Sequence, residues 1–466
     1  MRKTKIICTI GPKTASFDML KKLADTGMNV ARLNMSHGTL DWHQHVIHSL
    51  KRINRKFAST IAILLDTKGP EVRTGDVKQD MVLSKGALLT LTIRRQAELE
   101  PNCVEVSYDG FVNEVELGDI VLIDGGMISL LVKEVTATDV RCVCLDNGIL
   151  TSRRHINIRG KSADLPAIND KDWQDINFGI EHHVDFIALS FVRTAAVVEE
   201  LQQYLQERKV PIDILAKIES AEAVPHLDEI IAAADGIMIA RGDLGAELPY
   251  EEVPLLQAEI IRKCRAAGKP VVVATHMLES MIVNPTPTRA EVTDISHAVL
   301  QGTDAIMLSG ETATGKHPAK AVEVMDVVAR RMEREMSGDL RVRVQVSSNP
   351  KEEIARSAAI LSNNLHAKGT LVITRRGLMA VLLSRCRPGA PIFAFTNTTH
   401  VRRRLGLCWG IQAFRINFSN DPEVSIQRSI EQLLREEIMQ PGDRVIVLSD
   451  ILAGGKFIET VQVRTI

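Results

Sequence analysis

Eight short apolar segments, each followed by a segment with helical periodicity, recur along most of this chain. Alternating strand and helix units build parallel sheets, and eight such units close into a (β/α)8 or TIM barrel. In these barrels the functional residues lie in the loops that follow the strands, at their carboxyl ends. The predicted strands cover residues 5–10, 29–33, 60–65, 185–192, 213–218, 236–240, 270–274 and 304–308.

The repeat is interrupted after its third strand. From residue 70 to residue 165 the apolar segments are short and alternate with polar residues, and Asp124-Gly125-Gly126 between two of them is a hairpin signal. This pattern predicts a β-barrel-like lid domain at residues 70–165. It is inserted into a catalytic barrel made of residues 1–69 and 166–338.

A second α/β pattern follows a polar stretch after Met336 that has the composition of a linker. Its predicted strands cover residues 370–374, 391–396, 411–416, 444–449 and 460–464, and most of them are separated by helices. Strands that alternate with helices predict a parallel sheet. Residues 339–466 are therefore predicted to form a smaller C-terminal α/β domain with an open sheet.

The composition is that of a globular protein with several domains. A chain of 466 residues exceeds one compact core, and 45% hydrophobic with 25% charged residues is ordinary for this class. A formal net charge of -1 gives no reason to expect nucleic acid or an anionic membrane as a partner. No stretch resembles a signal peptide or a membrane span, and the seven cysteines form no disulfide framework. We therefore expect a cytoplasmic protein.

Polar side chains occupy the predicted carboxyl ends of all eight barrel strands. A single polar residue at a strand end is ordinary, but polar groups that lie within apolar strand runs in all eight units indicate one common site. These residues are Thr9, Arg32, Asn34, Ser36, Asp66, Thr67, Ser190, Arg193, Lys217, Glu219, Arg241, Asp243, Thr275, His276, Ser309 and Glu311.

The fifth and sixth strands carry the residues with the most definite chemistry. Lys217 and Glu219 are two apart on a strand and project from one face, and Asp243 follows the next strand. Because Mg²⁺ commonly takes one or two carboxylates together with substrate oxygens, Glu219 and Asp243 suit this ion. The cations Arg32, Arg73, Lys217 and Arg241 suit a phosphate or carboxylate, and Asn34, Ser36, Asp66 and Thr67 offer oxygens to a monovalent cation.

Residue types alone leave two reactions open. Phosphoryl transfer needs mainly positioning and neutralisation of charge, and this set of residues supplies both. A Lewis-acidic metal can equally stabilise an enolate. Two groups also have more than one interpretation. Arg241 binds an anion, pairs with a neighbouring acid or contacts another subunit. Arg402-Arg403-Arg404 either bind a phosphate or form a solvated helix face.

Eight motifs follow one another along the predicted barrel: CTIGP, RLNMSHG, LLDTKGPEVRT, LAKIES, MIARGDLGAELP, ATHMLESMI, NPTPTRAEV and GTDAIMLSGETATGKHP. Together and in this order they resemble the motifs of the pyruvate kinase family. The resemblance implies transfer of the phosphoryl group of phosphoenolpyruvate to ADP through an enolate, which gives pyruvate and ATP in the final step of glycolysis. It also implies Mg²⁺ (or Mn²⁺) and K⁺ as cofactors and a homotetramer as the assembly.

The resemblance further implies a role for individual residues. The implied catalytic residues are Arg32, Lys217 and Thr275. Substrate binding is implied for Arg32, Arg73, Ser190, Lys217, Gly242, Asp243 and Thr275, and nucleotide binding for Pro12, Arg32, Asn34, His37 and Lys171. The implied metal ligands are Glu219 and Asp243 for Mg²⁺ and Asn34, Ser36, Asp66 and Thr67 for K⁺.

Two further features concern cations and regulation. Glu71 in KGPEVR resembles the potassium-dependent members of the family, because a lysine substitutes there in the independent ones. Thr374-Arg375-Arg376-Gly377 resembles the family's effector loop, which implies a sugar-phosphate or nucleotide effector and a regulatory C-terminal domain. Two rival functions remain at this stage: a metal-dependent lyase or aldolase acting on a pyruvate enolate, and a non-catalytic sensor of a phosphorylated metabolite.

Overall fold

The computed structural model describes residues 1–57, 60–96, 98–161, 165–336, 349–453 and 456–466. Its first part alternates strands and helices: β1 (Lys5–Thr9), α1 (Phe17–Thr26), β2 (Val30–Asn34), α2 (Leu40–Lys56) and β3 (Ala62–Asp66). Both helices begin at a hydroxyl cap, since Ser16 and Thr39 accept the amide N–H of the residue three positions later.

The inserted segment consists of strands and one short helix. Its elements are β4 (Val72–Arg73), β5 (Met81–Leu83), β6 (Leu88–Thr92), β7 (Cys103–Glu105), α3 (Phe111–Glu114), β8 (Ile120–Ile123), β9 (Ile128–Val135), β10 (Asp139–Cys144), β11 (Gly148–Leu150) and β12 (His155–Ile158). Seven strands form one sheet in the order β4-β12-β8-β9-β10-β6-β7, and a bridge between Thr74 and Val106 joins its edges. The predicted hairpin joins β8 to β9, with Asp124 at positive φ. The insertion is barrel-like, as predicted.

The strand–helix alternation then resumes and completes the barrel. The elements are α4 (Asp170–Glu181), β13 (Phe186–Leu189), α5 (Ala195–Glu207), β14 (Asp213–Ile218), α6 (Leu227–Ala233), β15 (Gly236–Ala240), α7 (Arg241–Glu247), α8 (Val253–Ala267), β16 (Val271–Ala274), α9 (Arg289–Gln301), β17 (Ala305–Leu308), α10 (Gly310–Ala313) and α11 (Pro318–Glu335). Short 3₁₀ helices cover Ala221–His226 and Glu279–Ile282.

The eight parallel strands close into one barrel in the order β1-β17-β16-β15-β14-β13-β3-β2. Apolar side chains fill its interior, so the barrel is a packed core and polar groups are confined to its ends. The interior residues are Ile7, Val30, Ala62, Leu64, Phe186, Ala188, Leu215, Met238, Val272, Ala274, Ala305 and Met307. Together with the insertion and the C-terminal sheet, this barrel confirms the predicted fold class.

The C-terminal segment forms a separate α/β sheet. Its elements are α12 (Pro350–Asn364), β18 (Gly369–Ile373), α13 (Leu378–Arg385), β19 (Ile392–Thr396), α14 (Thr399–Arg404), β20 (Ile411–Arg415), α15 (Pro422–Arg435), β21 (Arg444–Ala453) and β22 (Lys456–Thr465). The strand order is β20-β19-β18-β21-β22, parallel except for the β21–β22 hairpin. The linker predicted after Met336, with the boundary predicted at residues 338 and 339, falls outside the described residues.

The C-terminal domain closes the amino-terminal end of the barrel. Leu407 is 1% exposed and packs with the residues of the barrel interior. Carboxylates at the starts of three barrel strands pair with arginines around it. The pairs are Asp185–Arg403 at 2.7 Å, Asp213–Arg404 at 2.8 Å and Asp304–Arg387 at 2.9 Å.

The observed contacts contradict both interpretations of Arg402-Arg403-Arg404. Arg402 donates to the Thr60 hydroxyl, and its two neighbours pair with carboxylates of the barrel. The arginines therefore hold two domains together, and they neither form a solvated face nor stand free for a phosphate. No local sequence pattern marks them as an interface, because their partners lie far away in the chain.

Four predicted elements differ from the structure. The helix predicted at residues 221–233 starts as a 3₁₀ helix that contains Pro225, which lacks an amide N–H. The loop predicted after the sixth strand, from Arg241, is the helix α7. The last two predicted strands are longer than expected and form an antiparallel hairpin. Of the helices in the described ranges, none combines the length and the apolar character needed to cross a bilayer.

Candidate active site

Lys217 lies at the centre of a buried polar network at the carboxyl ends of the strands. Its Nζ lies 2.9 Å from Asp66 Oδ1, 2.7 Å from Ser190 Oγ and 3.0 Å from Glu219 Oε1. All four side chains are buried. They come from β3, β14 and the residues just after β13 and β14, which are neighbours in the closed barrel. Barrel closure thus joins residues that are distant in sequence.

Arg32 completes this network on the neighbouring strand β2. Its Nε lies 2.5 Å from Asp66 Oδ2, and its Nη1 donates to Thr9 Oγ1 at 2.9 Å. One buried carboxylate, that of Asp66, therefore holds two cations, Arg32 and Lys217. Fixed cations at a strand end suit an anionic group, because they need little reorganisation when it binds.

The charges of this network support one another. Burial acts to raise the pKa of Asp66, but Arg32 and Lys217 outweigh it and lower that pKa below its ordinary value. Burial acts to lower the pKa of Lys217, but Asp66 and Glu219 outweigh it and raise the pKa. Lys217 is therefore a permanent cation at neutral pH.

Glu219 and Asp243 are two carboxylates in one electrostatic environment. Glu219 Oε2 accepts the amide N–H of Phe191 at 2.7 Å, and Phe191 has a positive φ of 51°. Loss of hydration raises the pKa of Glu219 to about 7; Lys217 acts against this rise and the charge of Asp243 adds to it. A divalent cation between the two carboxylates would relieve this repulsion, so the pair fits the Mg²⁺ role.

Among the residues that the structure describes, no group of three or more histidine, cysteine or acidic side chains is arranged to hold a metal ion. The roles of Glu219 and Asp243 as ligands stay a prediction.

Thr275 lies on a strained turn after β16. Both Thr275 and His276 have positive φ angles, 67° and 55°, which are unfavourable for residues with a side chain. Thr275 Oγ1 accepts the Gly242 amide N–H at 2.7 Å and donates to the Ala274 carbonyl at 2.6 Å. Backbone strain held by specific hydrogen bonds is typical of functional sites.

Arg241 supports this turn and pairs with a neighbouring acid. Its Nη1 donates to Asp294 Oδ1 at 2.7 Å, and its Nη2 donates to the Thr275 carbonyl at 2.7 Å. The interpretation of Arg241 as the structural partner of a neighbouring acid is therefore the one observed. Gly242 lies against Thr275 and His276, where an added Cβ would come within 3.4 Å of both.

A cleft of about 560 Å³ opens beside Arg32, and most of the predicted nucleotide residues line it. Pro12, Arg32, Asn34 and His37 line it. His43, which the sequence did not single out, also lines it and contacts the His37 carbonyl through Nε2 at 2.8 Å. Lys171 is not among the lining residues and pairs with Asp175 on its own helix.

The four residues predicted for K⁺ lie at the ends of β2 and β3. Asn34 and Asp66 are register partners on these strands. Asn34 Oδ1 accepts the Ser36 amide N–H at 3.1 Å, and the Thr67 hydroxyl accepts the Ser190 amide N–H at 3.1 Å. The donors are all oxygens, which fits an alkali cation, although the Asp66 carboxylate already contacts two cations.

Arg73 lies at the edge of the site, on the first strand of the insertion. Its Nε lies 2.8 Å from Glu71 Oε2, and its side chain is 37% exposed. The charges of Glu71, Asp243 and Arg73 all act on His155, whose pKa is lowered first of all by burial. Arg73 and His155 are register partners on β4 and β12, so Arg73 lies beside a histidine that the charge of Asp243 also reaches.

His155 and Glu247 are further polar residues near the site that the sequence did not single out. His155 lies on β12 of the insertion, and Glu247 ends α7 with 6% of its surface exposed. Burial raises the pKa of Glu247 to about 7, and Asp243 adds to this rise. The spacing of Asp243 and Glu247, four apart on a helix, is the one signal by which Glu247 could have been found.

Comparisons with known proteins identify relatives of this chain. The family model for the pyruvate kinase barrel domain matches residues 1–322, and that for the pyruvate kinase alpha/beta domain matches residues 352–463. The chain is 54% identical over 454 residues to plastidial pyruvate kinase 3, chloroplastic, of Arabidopsis thaliana, covering 96% of this chain and 78% of that protein. It is 41% identical over 465 residues to the pyruvate kinase of Sporosarcina psychrophila, covering 97% and 78%.

A solved structure is also similar over the full length. The crystal structure of a pyruvate kinase from Cryptosporidium parvum has a TM-score of 0.93 at 37% identity, covering 99% of this chain and 96% of that chain. These matches confirm the predicted phosphotransferase and do not favour the lyase or aldolase alternative. The cytoplasmic location stays a prediction, since several relatives are named chloroplastic. Two family models over most of the sequence and these relatives lead to one conclusion: the chain belongs to the pyruvate kinase family.

Proposed function

We propose that this chain transfers the phosphoryl group of phosphoenolpyruvate to ADP and that the Lys217 network is where the transfer occurs. One observation carries the proposal: Lys217 is buried within hydrogen-bond distance of Asp66, Ser190 and Glu219, at the carboxyl ends of the barrel strands. Phosphoryl transfer depends on fixed charges that match the negative charge of the moving group.

Lys217 and Arg32 neutralise the transferred phosphoryl group from two sides. Asp66 holds both cations in place, so their charges are already oriented when substrate binds. Arg32 also lines the cleft that we assign to ADP, together with Pro12 and His37. It therefore stands between the substrate side and the nucleotide side of the transfer.

Glu219 and Asp243 would hold Mg²⁺ or Mn²⁺. When bound, the ion would supply Lewis-acid stabilisation of charge on the phosphoryl and enolate oxygens. Asn34, Ser36, Asp66 and Thr67 would supply oxygens to K⁺, and Glu71 leads us to expect activation by K⁺. Arg73 and Ser190 complete the substrate side of the proposed site, and Lys171 contributes from the rim of the nucleotide side.

Thr275 would orient the water that protonates the enolate. Its own proton is directed to the Ala274 carbonyl, and it accepts one hydrogen bond from Gly242. The remaining lone pair of Oγ1 can accept a hydrogen bond from a water, which then delivers its other proton to the enolate carbon. The hydroxide that is left takes a proton from bulk solvent. This arrangement makes Thr275 a positioning group for that proton rather than its donor.

We extend the proposal to assembly and regulation. A homotetramer, an effector bound at the loop that includes Arg375 and Arg376, and a lid role for the inserted domain follow from family membership and from the position of that domain over the strand ends. Each is open to direct measurement, by sedimentation, by effector titration and by distance measurements between domains.

The test is ATP formation from phosphoenolpyruvate and ADP with Mg²⁺ and K⁺ present. The wild-type chain should form ATP, and Lys217→Met should lower kcat by orders of magnitude, because a charge matched to the moving phosphoryl group is lost. Lys320→Met, on the exposed face of α11, is the matched control and should behave as wild type. A folded, metal-loaded wild type that forms no ATP would exclude the proposed function.

A further inference from the structure

Glu247 ends helix α7, one turn after Asp243. Residues four apart on a helix share a face, so the two carboxylates project from the same side of α7. Glu247 is buried, and each of its oxygens accepts one hydrogen bond. Oε2 accepts the amide N–H of Ala221 at 2.8 Å, and Oε1 accepts from Asn157 Nδ2 at 3.2 Å.

The two donors belong to different parts of the molecule. Ala221 follows Glu219 by two residues and begins the turn after β14. Asn157 is 8% exposed and lies on β12 of the inserted domain. One carboxylate therefore links the strand end that bears Glu219, the helix that bears Asp243, and the inserted domain.

A small cavity of about 50 Å³ lies beside this link, between the inserted domain and the barrel. Glu247, Asn157, Ser220, His155 and Phe191 are among its lining residues. In the described part of the chain, Asn157 Oδ1 and Ser220 Oγ are buried there without a hydrogen-bond partner. The hydrogen bond between Asn157 and Glu247 therefore joins the inserted domain to the barrel beside this cavity.

We propose that Glu247 is a positioning residue that couples the orientation of the inserted domain to the separation of the Glu219 and Asp243 carboxylates. A shift of Asn157 moves Oε1 of Glu247, and the same side chain acts on α7 and, through Ala221, on the turn after Glu219. The inference rests on the proposed function, in which the Glu219 and Asp243 carboxylates hold the same metal ion.

The hydrogen bond between Asn157 and Glu247 can be broken by one substitution and restored by a second. At a pH well above 7, where both groups are ionised, Asn157→Asp replaces the Nδ2 donor by a second carboxylate facing Glu247, which repels it and breaks the link. Glu247→Gln restores a donor, because the Gln Oε1 can accept from Ala221 while its Nε2 donates to the carboxylate introduced at position 157. The effect of Asn157→Asp should therefore depend on whether residue 247 is Glu or Gln.

The readout is the dissociation constant of Mn²⁺ alone, measured from the electron paramagnetic resonance of free Mn²⁺ without substrates. In the wild-type background, Asn157→Asp should raise this constant about tenfold, the lower end of the effect of residues that support metal ligands. In the Glu247→Gln background, it should change the constant by less than about twofold. An added negative charge by itself would attract Mn²⁺ and lower the dissociation constant. A higher constant therefore indicates that the geometry of the metal ligands has changed.

Two controls accompany the cycle. Asn147→Asp adds a charge elsewhere in the inserted domain and keeps an acceptor for the Lys85 amide, and Glu222→Gln removes an exposed carboxylate near Glu247. Neither should reproduce the background-dependent loss. If Asn157→Asp does not fold, as judged by circular dichroism and gel filtration, Asn157→Ala takes its place and should weaken Mn²⁺ binding in the wild-type background alone.

Equal losses in both backgrounds, or unchanged or tighter Mn²⁺ binding in the wild-type background, would overturn the inference. Because this readout needs no turnover, it is distinct from a failure of the proposed function, which would appear as a wild type that forms no ATP. Parallel assays should show the same rescue pattern in kcat/KM when phosphoenolpyruvate and ADP are present.

Discussion

Removing the Asp304 carboxylate should loosen the C-terminal domain from the barrel. Asp304 and Arg387 are 4% and 2% exposed, and their charged atoms lie 2.9 Å apart. Asp304 also accepts the Trp409 amide N–H at 2.9 Å and the Val271 amide N–H at 3.2 Å. Arg387 donates in addition to the Gly302 carbonyl at 2.9 Å. Each residue of the pair therefore also forms a hydrogen bond with the backbone of the other domain.

The magnitude follows from burial. At the observed 2.9 Å and an effective dielectric constant of about 20, two unit charges attract by about 6 kcal/mol, and desolvation offsets most of this. Removing one partner leaves the other charge buried and unpaired, at a cost of about 3–5 kcal/mol. Asp304→Ala and Arg387→Met should each lower the free energy of domain opening by that amount. The double variant should lose about 2 kcal/mol less than the sum.

Trp409 provides a local assay. It is 2% exposed at this contact, and the other two tryptophans, Trp42 and Trp173, can be replaced by Phe. Opening of the contact exposes Trp409 and shifts its emission to longer wavelength as urea rises. Glu323→Ala, which removes an exposed ion pair with Lys320, is the control and should change little. Additive losses of stability in the double variant would contradict the role of the Asp304–Arg387 pair in holding the domains together. A Trp409 transition that does not move in Asp304→Ala would contradict it too.

Three further predictions concern the metal, the monovalent cation and pH. Glu219→Gln should weaken Mn²⁺ binding and turnover together, and an unchanged Mn²⁺ titration would remove Glu219 from the metal site. Turnover should rise on addition of K⁺, and Glu71→Lys should reduce this dependence; equal rates in K⁺-free buffer would contradict the K⁺ site. Burial raises the pKa of Asp213 to about 7, although Arg404 acts to lower it. The pKa of Asp213 is about 3.9 in the unfolded chain, so the folded state binds this proton more tightly than the unfolded state does. The resulting contribution to stability is complete below a pH of about 3.9 and is lost as the pH rises through 7. The free energy of opening should therefore fall by on the order of 2 kcal/mol more in wild type than in Asp213→Asn between pH 5 and pH 8, measured through Trp409; equal falls would exclude Asp213 as the titrating group.

The positions of the strands and most helices could be predicted because they depend on local periodicity. Apolar strands of the barrel and the hairpin at Asp124 carry their signals within a few residues. The helix α7 was missed because its sequence, RGDLGAE, contains two glycines and reads as a loop. Its position after β15 and the burial of Leu244 and Glu247 stabilise it instead.

The types of residue in the site could be predicted from the sequence, but fewer of the contacts between them could. Lys217, Glu219 and Asp66 were expected at strand ends, and barrel closure brings both carboxylates within 3.0 Å of the Lys217 ammonium. Arg241 could be assigned only once its distance to Asp294 was known. Glu247 was missed because its two donors come from separate segments.

Local patterns were enough to predict the eight strand–helix units, the inserted β segment and the accumulation of charge at the strand ends, since each depends on neighbours along the chain. Only the folded chain shows which charges share a carboxylate and which arginines bind the barrel. The contact between Asn157 and Glu247 is likewise visible only there. Pairing and desolvation depend on which segments meet in space, and no local pattern contains that information.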